Sequence, residues 1–370
     1  YMTDLSKDLE TRKEKLLNKI NEVNADACIL TSNVNLFYMT GDIYSGYYYL
    51  SKEGKSFHFV KRPNNINLEN TVFIRKPEQI TEELQKHGIE KPKTVLLEVD
   101  TIPYSECARI ISSLEITPIN VSGIMRNIRS INSNFELSQI RECAKMHEEV
   151  YKTIPSLFKP GMTDLELQIE VERQMRLHGS IGIFRSYGEN MDIYMGSLLA
   201  GENAAAPSPF DFALGGRGTS PSLPLGSSNV VIEKGQTIMV DMAGNYRPWM
   251  TDMTRVFSFG KTSELAYKAH QVSIDINNMV MDMAKPSVFC SQIYELVMDV
   301  VKGNKLEEYF MGTEQQAKFV GHGLGLEINE PPVLTPRSKE VLQPNIVFAL
   351  EPKFVIPHVG AVGIENTYVV

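Results

Sequence analysis

Thr237-Ile238-Met239-Val240-Asp241-Met242-Ala243-Gly244 reads as a buried β-strand that nevertheless carries a carboxylate. Side chains alternate along a strand, so Met239 and Asp241 share one face. Asp252 repeats the anomaly eleven residues later, between Trp249-Met250 and Val256-Phe257 in an expected strand from Met250 to Phe259. Near the end of the chain it returns twice more. Glu351 closes Val347-Phe348-Ala349-Leu350, sharing a face with Ala349, and Glu365 ends Val362-Gly363-Ile364-Glu365 fourteen residues on. The strands expected there run from Ile346 to Val355 and from Val362 to Val370. An ionised carboxylate buried without a partner costs several kcal/mol. The cations close by in sequence are Arg247, Arg255 and Lys353, too few for four acids. Two divalent ions would balance all four. His322, in Gly321-His322-Gly323-Leu324-Gly325-Leu326, offers an imidazole flanked closely only by glycines, so backbone can approach it. An oxygen-rich set with one imidazole suits Mn²⁺ or a similar borderline ion better than a thiolate-seeking one.

Outward from these strands lies a weak internal repeat. Residues 135–157 read as a helix ending near Phe158-Lys159-Pro160-Gly161, and Thr163, three before Glu166, opens a second helix to about Leu177. Leu265, Ala269, Val272, Ile276, Met279 and Met283 form one apolar stripe over residues 263–283, and Ser287 is expected to open a further helix through Val301. Each helix pair is followed by two acid-bearing strands. Two such halves would pack helices outside a shared, curved antiparallel sheet.

Before residue 130 the pattern differs. A charged helix over residues 4–23 is followed by strand-like runs at Ala27 to Leu30, Tyr47 to Leu50, Phe57 to Val60 and Val95 to Leu97, and by a helix near Ser105 to Leu114. Strands alternating with helices indicate a small α/β domain, and no glycine loop follows a strand to cradle phosphate. Residues 124–134 are polar and aperiodic, which sets the domain boundary there. The 370 residues correspond to about two domains. A hydrophobic share of 42% and a charged share of 22% exclude disorder and a spanning bundle. The net charge of −8 disfavours nucleic acid as a partner. The opening residues lack the apolar core of a secretory signal, and Tyr1 ahead of Met2 reads as the remnant of a purification tag. Cys28, Cys107, Cys143 and Cys290 are widely spaced and read as reduced core residues of a cytoplasmic protein.

Val240-Asp241-Met242-Ala243-Gly244, Thr251-Asp252-Met253-Thr254-Arg255, Gly321-His322-Gly323-Leu324-Gly325-Leu326-Glu327, Glu351-Pro352 and Gly363-Ile364-Glu365-Asn366-Thr367 together resemble the motifs of the pita-bread metallopeptidases. These are methionine aminopeptidase, aminopeptidase P, prolidase and the related creatinase. The first helix followed by Asn33-Val34-Asn35-Leu36-Phe37-Tyr38-Met39-Thr40-Gly41 is similar to the amino-terminal domain of the creatinase and prolidase branch, so the resemblance spans nearly the whole chain. It implies an α+β architecture: a smaller α/β creatinase-type domain over residues 2–130, then a pita-bread catalytic domain with a pseudo-twofold internal repeat over residues 134–370. It also implies a dinuclear site in which Asp241 chelates one ion, Asp252 and Glu365 bridge both, and His322 and Glu351 complete the other shell. The ions implied are Mn²⁺, with Co²⁺, Zn²⁺ or Fe²⁺ as alternatives. The implied activity is that of an Xaa-Pro aminopeptidase or dipeptidase. A hydroxide bridging the ions attacks the peptide bond before proline, and Glu351, the catalytic residue, passes its proton to the leaving nitrogen. The partners implied are a small peptide with proline in second position and a second copy of the chain, without nucleic acid or membrane. Thr254 shares a strand face with Asp252 and is expected to orient it. Creatinase itself lacks the metal set, so retention of all five ligands argues against creatinase-like chemistry.

Three positions depart from the resemblance. Relatives carry a histidine upstream of the first metal aspartate, where the nearest match here is Leu225 in Pro224-Leu225-Gly226. A second histidine after the glycine-rich motif is Asn329, and the arginine before the last isoleucine-glutamate is Gly363. Losing one oxyanion-type donor costs about 10²- to 10³-fold in rate; Asn329 can still donate, Leu225 cannot. Asn329 and His358, the latter from the final hairpin, are the candidate substrate-binding residues. The missing histidines keep a second reading open, a metal-dependent lyase or hydrolase of a small non-peptide metabolite. A third, a binding module without catalysis, sits poorly with five retained ligands. The segment from Ser180 to Ile232, rich in glycine, proline and serine, is expected to loop over the site and set substrate choice, with Phe184 and Tyr187 as pocket walls.

Overall fold

In the computed structural model, which describes residues 2–188 and 193–370, the chain divides into two units, Tyr1–Arg129 and Ser130–Val370. Tyr1 and residues 189–192 of the 180–232 segment lie outside the described residues.

The first unit runs α1 (Met2–Glu22), β1 (Ala27–Leu30), α2 (Asn33–Thr40), β2 (Ser45–Ser51), β3 (Ser56–Arg62), β4 (Thr71–Phe73), α3 (Ile80–Lys86), β5 (Thr94–Leu97), α4 (Tyr104–Leu114), β6 (Thr117–Asn120) and α5 (Ser122–Ser130). Its six-stranded sheet has the order β4-β3-β2-β1-β5-β6. Alternation along the strands puts Ala27, Ile29, Tyr49, Phe59, Val95 and Leu97 into one core with Ile80 and Leu84 of α3 and Ile110 and Leu114 of α4. The polar stretch 124–134 is not irregular throughout, since α5 covers its first half. Ile124, Met125 and Ile128 form the apolar side of this short helix, with Met125 and Ile128 buried; the charged and polar residues between them obscure the pattern in the sequence.

Glu98, just past β5, is fully buried. It accepts the backbone N–H groups of Thr31 and Ser32, the Ser32 hydroxyl and Asn35 Nδ2, a carboxylate placed at the N-terminal end of α2. Arg129 donates to the other end of the Asn35 amide.

His58, on β3, is buried with its Nδ1 3.0 Å from the Tyr44 hydroxyl. Burial, helped by Lys13, pushes its pKa down to about 4. The unfolded imidazole, at roughly 6.5, therefore takes its proton first. His58 costs the fold about 1.4 kcal/mol per pH unit as pH falls from roughly 6.5 to 4, and nothing further below. The His58 ring resonances are expected to titrate with a midpoint near 4; a midpoint near 6.5 would mean a solvated ring.

The second unit contains α6 (Asn134–Leu157), α7 (Asp164–Leu177), β7 (Gly196–Ala200), β8 (Thr237–Gly244), β9 (Thr251–Ser258), α8 (Glu264–Met283), α9 (Cys290–Gly303), β10 (Gly321–Gly323), β11 (Glu330–Val333), β12 (Val347–Leu350), β13 (Lys353–Ile356), β14 (Gly360–Gly363) and β15 (Asn366–Val369). Capping boxes at Ser133/Glu136 and Thr163/Glu166 open α6 and α7. Ser287 does not open α9, which starts at Cys290. Its φ of 76° lies in the left-handed region, and residues 287–290 instead bond to Leu342 and Glu340. Tertiary pairing displaces the helix start by one turn.

The sheets are β7-β8-β9, β11-β10-β12-β15 and β13-β14. Strand β7 lies inside the segment expected to be loop; its short apolar run, Leu198 to Ala200, is hidden by the surrounding glycine and proline. Both long C-terminal strands break at their acids. Pro352 cannot donate to a ladder, so β12 ends before it, and Gly363 has φ 126° before Ile364 and Glu365 lead into β15. Ile238, Val240 and Met242 pack against Val150 and Ile154 of α6 and Leu167 and Val171 of α7. Phe348 and Leu350 pack against α8 and α9. Met239 turns the other way, toward Leu199, Val355 and Ala361. The helices thus cover the outer faces of both halves, and the acids sit on the inner one. All four cysteines are buried and form no disulfide. Among the described residues no helix is long and apolar enough to cross a membrane.

Candidate metal centre

Register explains why the acids meet. On β8 and β9, Asp241 lies opposite Thr254 and Ala243 opposite Asp252, so Asp241, Asp252 and Thr254 share one face. On β10 and β12, His322 lies opposite Ala349, on the face that continues to Glu351. Strand β10 can lie this close because residue 321 is glycine; a Cβ there would collide with the Ala349 carbonyl. An isolated bridge between Thr254 and Glu365 brings the two halves together.

The donor atoms of Asp252, His322 and Glu365 lie within 4.8 Å of one another, as do those of Asp241, Glu351 and Glu365. Glu365 belongs to both groups and is 1% exposed. His322 Nε2 is 3.0 Å from Glu351 Oε2 and 3.6 Å from Asp252 Oδ2. Its Nδ1 lies 2.9 Å from the Gly323 carbonyl, which can only accept, so Nδ1 carries the proton and Nε2 faces the acids.

The electrostatics are those of a cluster short of positive charge. Burial first, then the nearby Asp241, lifts the Asp252 carboxyl well above the ordinary range. Burial, with Asp252 and Glu351, does the same to Glu365. Burial opposes protonation of His322, yet Glu351 and Asp252 raise it to about 9. Burial likewise resists ionisation of Glu351, but Lys353 and His322 hold it at about 2. Among the described residues, the buried Glu365 Oε1 has no hydrogen-bond partner. An uncompensated buried oxygen shared by two compact donor groups fits a divalent ion.

Supporting contacts differ from expectation in instructive ways. Thr254 Oγ1 donates to Glu365 Oε2 at 2.8 Å, so it orients Glu365 across the bridge. For Asp252 the threonine in contact is Thr367, which exchanges hydrogen bonds with its backbone. Arg255 binds the Thr254 and Glu365 carbonyls, and Arg247 pairs with Glu142 on the surface. Lys353, fully buried, reaches the carboxylates, 2.7 Å from Asp241 Oδ2 and 3.0 Å from Glu351 Oε1. Tyr151, from α6, adds a further support that carries no motif. Its hydroxyl donates to the Met253 carbonyl at 2.7 Å and accepts the Met242 N–H at 2.8 Å, fastening β8 to β9; no local sequence signal marks it.

Of the two candidate substrate contacts, Asn329 grips the backbone of Tyr187, accepting its N–H at 2.7 Å and donating to its carbonyl at 2.6 Å. His358 is not brought to the cluster. It lies in the turn between β13 and β14, 86% exposed and paired with Glu202 at 2.7 Å. Leu225 is half-buried in its loop. A cavity of about 420 Å³ is lined by Phe210, Phe212, Leu214 and Phe319, among others. The Phe319 ring lies 6.5 Å from that of His322, and Phe184 stacks on Phe212 at the same separation.

Comparison with known proteins agrees with this geometry. Residues 138–370 match metallopeptidase family M24, and residues 12–131 match the creatinase/prolidase N-terminal domain. The uncharacterized peptidase YqhT of Bacillus subtilis is 25% identical, covering 96% of this chain and 94% of its own. The Xaa-Pro dipeptidase of Pyrococcus horikoshii is 21% identical over 98% and 95%. Among solved structures, the Xaa-Pro dipeptidase from Bacillus anthracis superposes with a TM-score of 0.80 at 22% identity, covering 98% of this chain and 95% of that one. A creatinase-type N-terminal domain thus precedes a pita-bread domain, and the chain belongs to metallopeptidase family M24 as a peptidase hydrolase.

Proposed function

We propose that the chain is a dinuclear-metal exopeptidase of the Xaa-Pro aminopeptidase or dipeptidase type, hydrolysing the bond before proline in small peptides. The observation that carries this reading is the convergence of Asp241, Asp252, His322, Glu351 and Glu365 on one buried inner face. These five would hold two divalent ions, with manganese the ion that an oxygen-rich set with one imidazole suits. Such ions, when bound, lower the pKa of a water and polarise the substrate carbonyl.

The chain's own residues do the rest. Glu351, kept ionised beside Lys353, is the carboxylate that takes up a proton and returns it to the leaving nitrogen. Thr254 fixes Glu365, and Nδ1–H bonding to Gly323 aims His322 Nε2. Asn329 acts through Tyr187, holding the segment that carries Phe184 near Phe212. Phe319, whose ring lies 6.5 Å from that of His322, is the wall of the neighbouring cavity placed to meet an apolar substrate group such as a pyrrolidine ring. Residues 2–130 and 134–370 are the corresponding domains, in a cytoplasmic homodimer.

The test is a panel of Ala-Pro, Met-Pro, longer Xaa-Pro peptides and Ala-Ala, with Mn²⁺ or with chelator, products identified by mass spectrometry. Cleavage before proline that depends on Mn²⁺ and spares Ala-Ala is expected. A metal-loaded protein that leaves every Xaa-Pro peptide intact, beside an active prolidase control, would overturn the reading and direct the search to non-peptide metabolites.

A further inference from the structure

Helix α8 carries two stripes. Its apolar one, with Ala266, Ala269, Val272, Ile276 and Val280, packs into the core of the second unit. Beside it run His270, Ser273 and Asn277, three and four residues apart and so on one side of the helix. Ser273 is fully buried and Asn277 is 2% exposed. Polar side chains are costly to bury unless hydrogen-bonded. All three bond backbone within two residues of a carboxylate of the metal centre.

Ser273 Oγ donates to the Pro352 carbonyl at 2.6 Å and accepts the Ile364 N–H at 2.9 Å. Pro352 directly follows Glu351, and Ile364 directly precedes Glu365. A single hydroxyl thus joins the two acid-bearing segments, its donor turned to one and its acceptor to the other. Asn277 Nδ2 donates at 3.3 Å to the Ile364 carbonyl, in the peptide that leads into Glu365, and its Oδ1 accepts the Tyr368 hydroxyl at 2.7 Å. His270 Nδ1 accepts the Gly363 N–H at 3.0 Å. Burial, with Arg255 nearby, lowers the His270 pKa and keeps the ring in the neutral form that can accept.

Breaks in the strands make this hold necessary. Strands β12 and β13 lie on either side of Glu351-Pro352, and β14 and β15 on either side of Ile364-Glu365. Backbone groups there lack a continuous ladder and need other partners. Gly363 lets the two segments close over the hydroxyl: a Cβ there would lie 3.1 Å from Ser273 Oγ and 2.4 Å from the Pro352 carbonyl oxygen.

We propose that Ser273 is a positioning residue whose hydroxyl sets the spacing of Glu351 and Glu365, with His270 and Asn277 holding the Glu365 segment on either side. Its hydrogen bonds run to the backbone, so it acts through the peptide groups rather than on the carboxylates themselves. This rests on the reading of those acids as ligands for divalent ions.

Calorimetric titration of the metal-free full chain with Mn²⁺ tests it, comparing Ser273→Ala with Val272→Ala. The second variant removes core packing from the same helix and leaves the hydroxyl in place. Ser273→Ala is expected to weaken Mn²⁺ binding about 10- to 100-fold, with kcat on Ala-Pro falling by a similar factor and KM moving less than about threefold. Val272→Ala is expected to lower the melting temperature while shifting Mn²⁺ affinity less than about threefold. Equal Mn²⁺ affinity in wild type and Ser273→Ala, or a loss matched by Val272→Ala, would make Ser273 an ordinary buried polar residue and overturn the inference. That result would leave the ion reading intact. If the wild type takes up no Mn²⁺, the ion reading falls and this inference with it. Should Ser273→Ala not fold, His270→Ala decides, since it removes the bond to Gly363 from the same segment. Affinity lower by at least about threefold then supports the inference, and unchanged affinity overturns it.

Discussion

Glu365→Gln is expected to reduce Xaa-Pro hydrolysis by about 10³-fold or more and to raise, not lower, the melting temperature of the metal-free protein. Glu365 is common to both donor groups, so its loss strips a ligand from each ion at once. The glutamine amide keeps the shape and can still accept from Thr254. It removes a carboxyl that burial and its acidic neighbours lift well above the ordinary range. For such a group the folded state holds the proton longer than the unfolded state. Its contribution is intact at low pH and becomes a cost as pH rises past the unfolded value near 4.3. The stabilisation should accordingly be larger at pH 7.5 than at pH 5. A gain of about 1 kcal/mol corresponds to roughly 2–4 °C for a unit of this size. Calorimetric scans of metal-free protein, with metal content by mass spectrometry, check both halves. A variant that melts lower and keeps its ions would make Glu365 a structural residue.

The largest effect on stability is expected in the first unit. Glu98→Leu should cost about 3–5 kcal/mol, because the Thr31 and Ser32 N–H groups, the Ser32 hydroxyl and the Asn35 amide lose their common acceptor in a buried place. Glu98→Gln keeps one accepting oxygen and should cost less, about 1–3 kcal/mol. Urea unfolding followed through the transition of the first unit measures both. A change under about 0.5 kcal/mol for the leucine variant would mean that water replaces the carboxylate.

Much of this is legible in the chain as text, and the limits are physical. Acids in apolar strands are conspicuous because the cost of burying them is large, and strand alternation alone puts Met239 beside Asp241. The start of α7 follows its capping pair at Thr163/Glu166. What is hidden depends on pairing between distant segments. Ser287 resembles a helix start until Leu342 claims its N–H, and Thr254 serves Glu365 because of a bridge spanning more than a hundred residues. His358 stands near the last acid in sequence but in a turn pointing to Glu202. Lys353 is visible as a nearby cation on the strand face of Glu351, yet its reach to Asp241 and Glu365 depends on segments distant in sequence.

The bridge between Thr254 and Glu365 also has a kinetic side. Ligands separated by so much chain come together only after both sheets have formed and docked, which is the slow class of contact. Bound ions would then act as a late-setting clasp: they should retard unfolding many-fold while leaving the refolding rate almost unchanged.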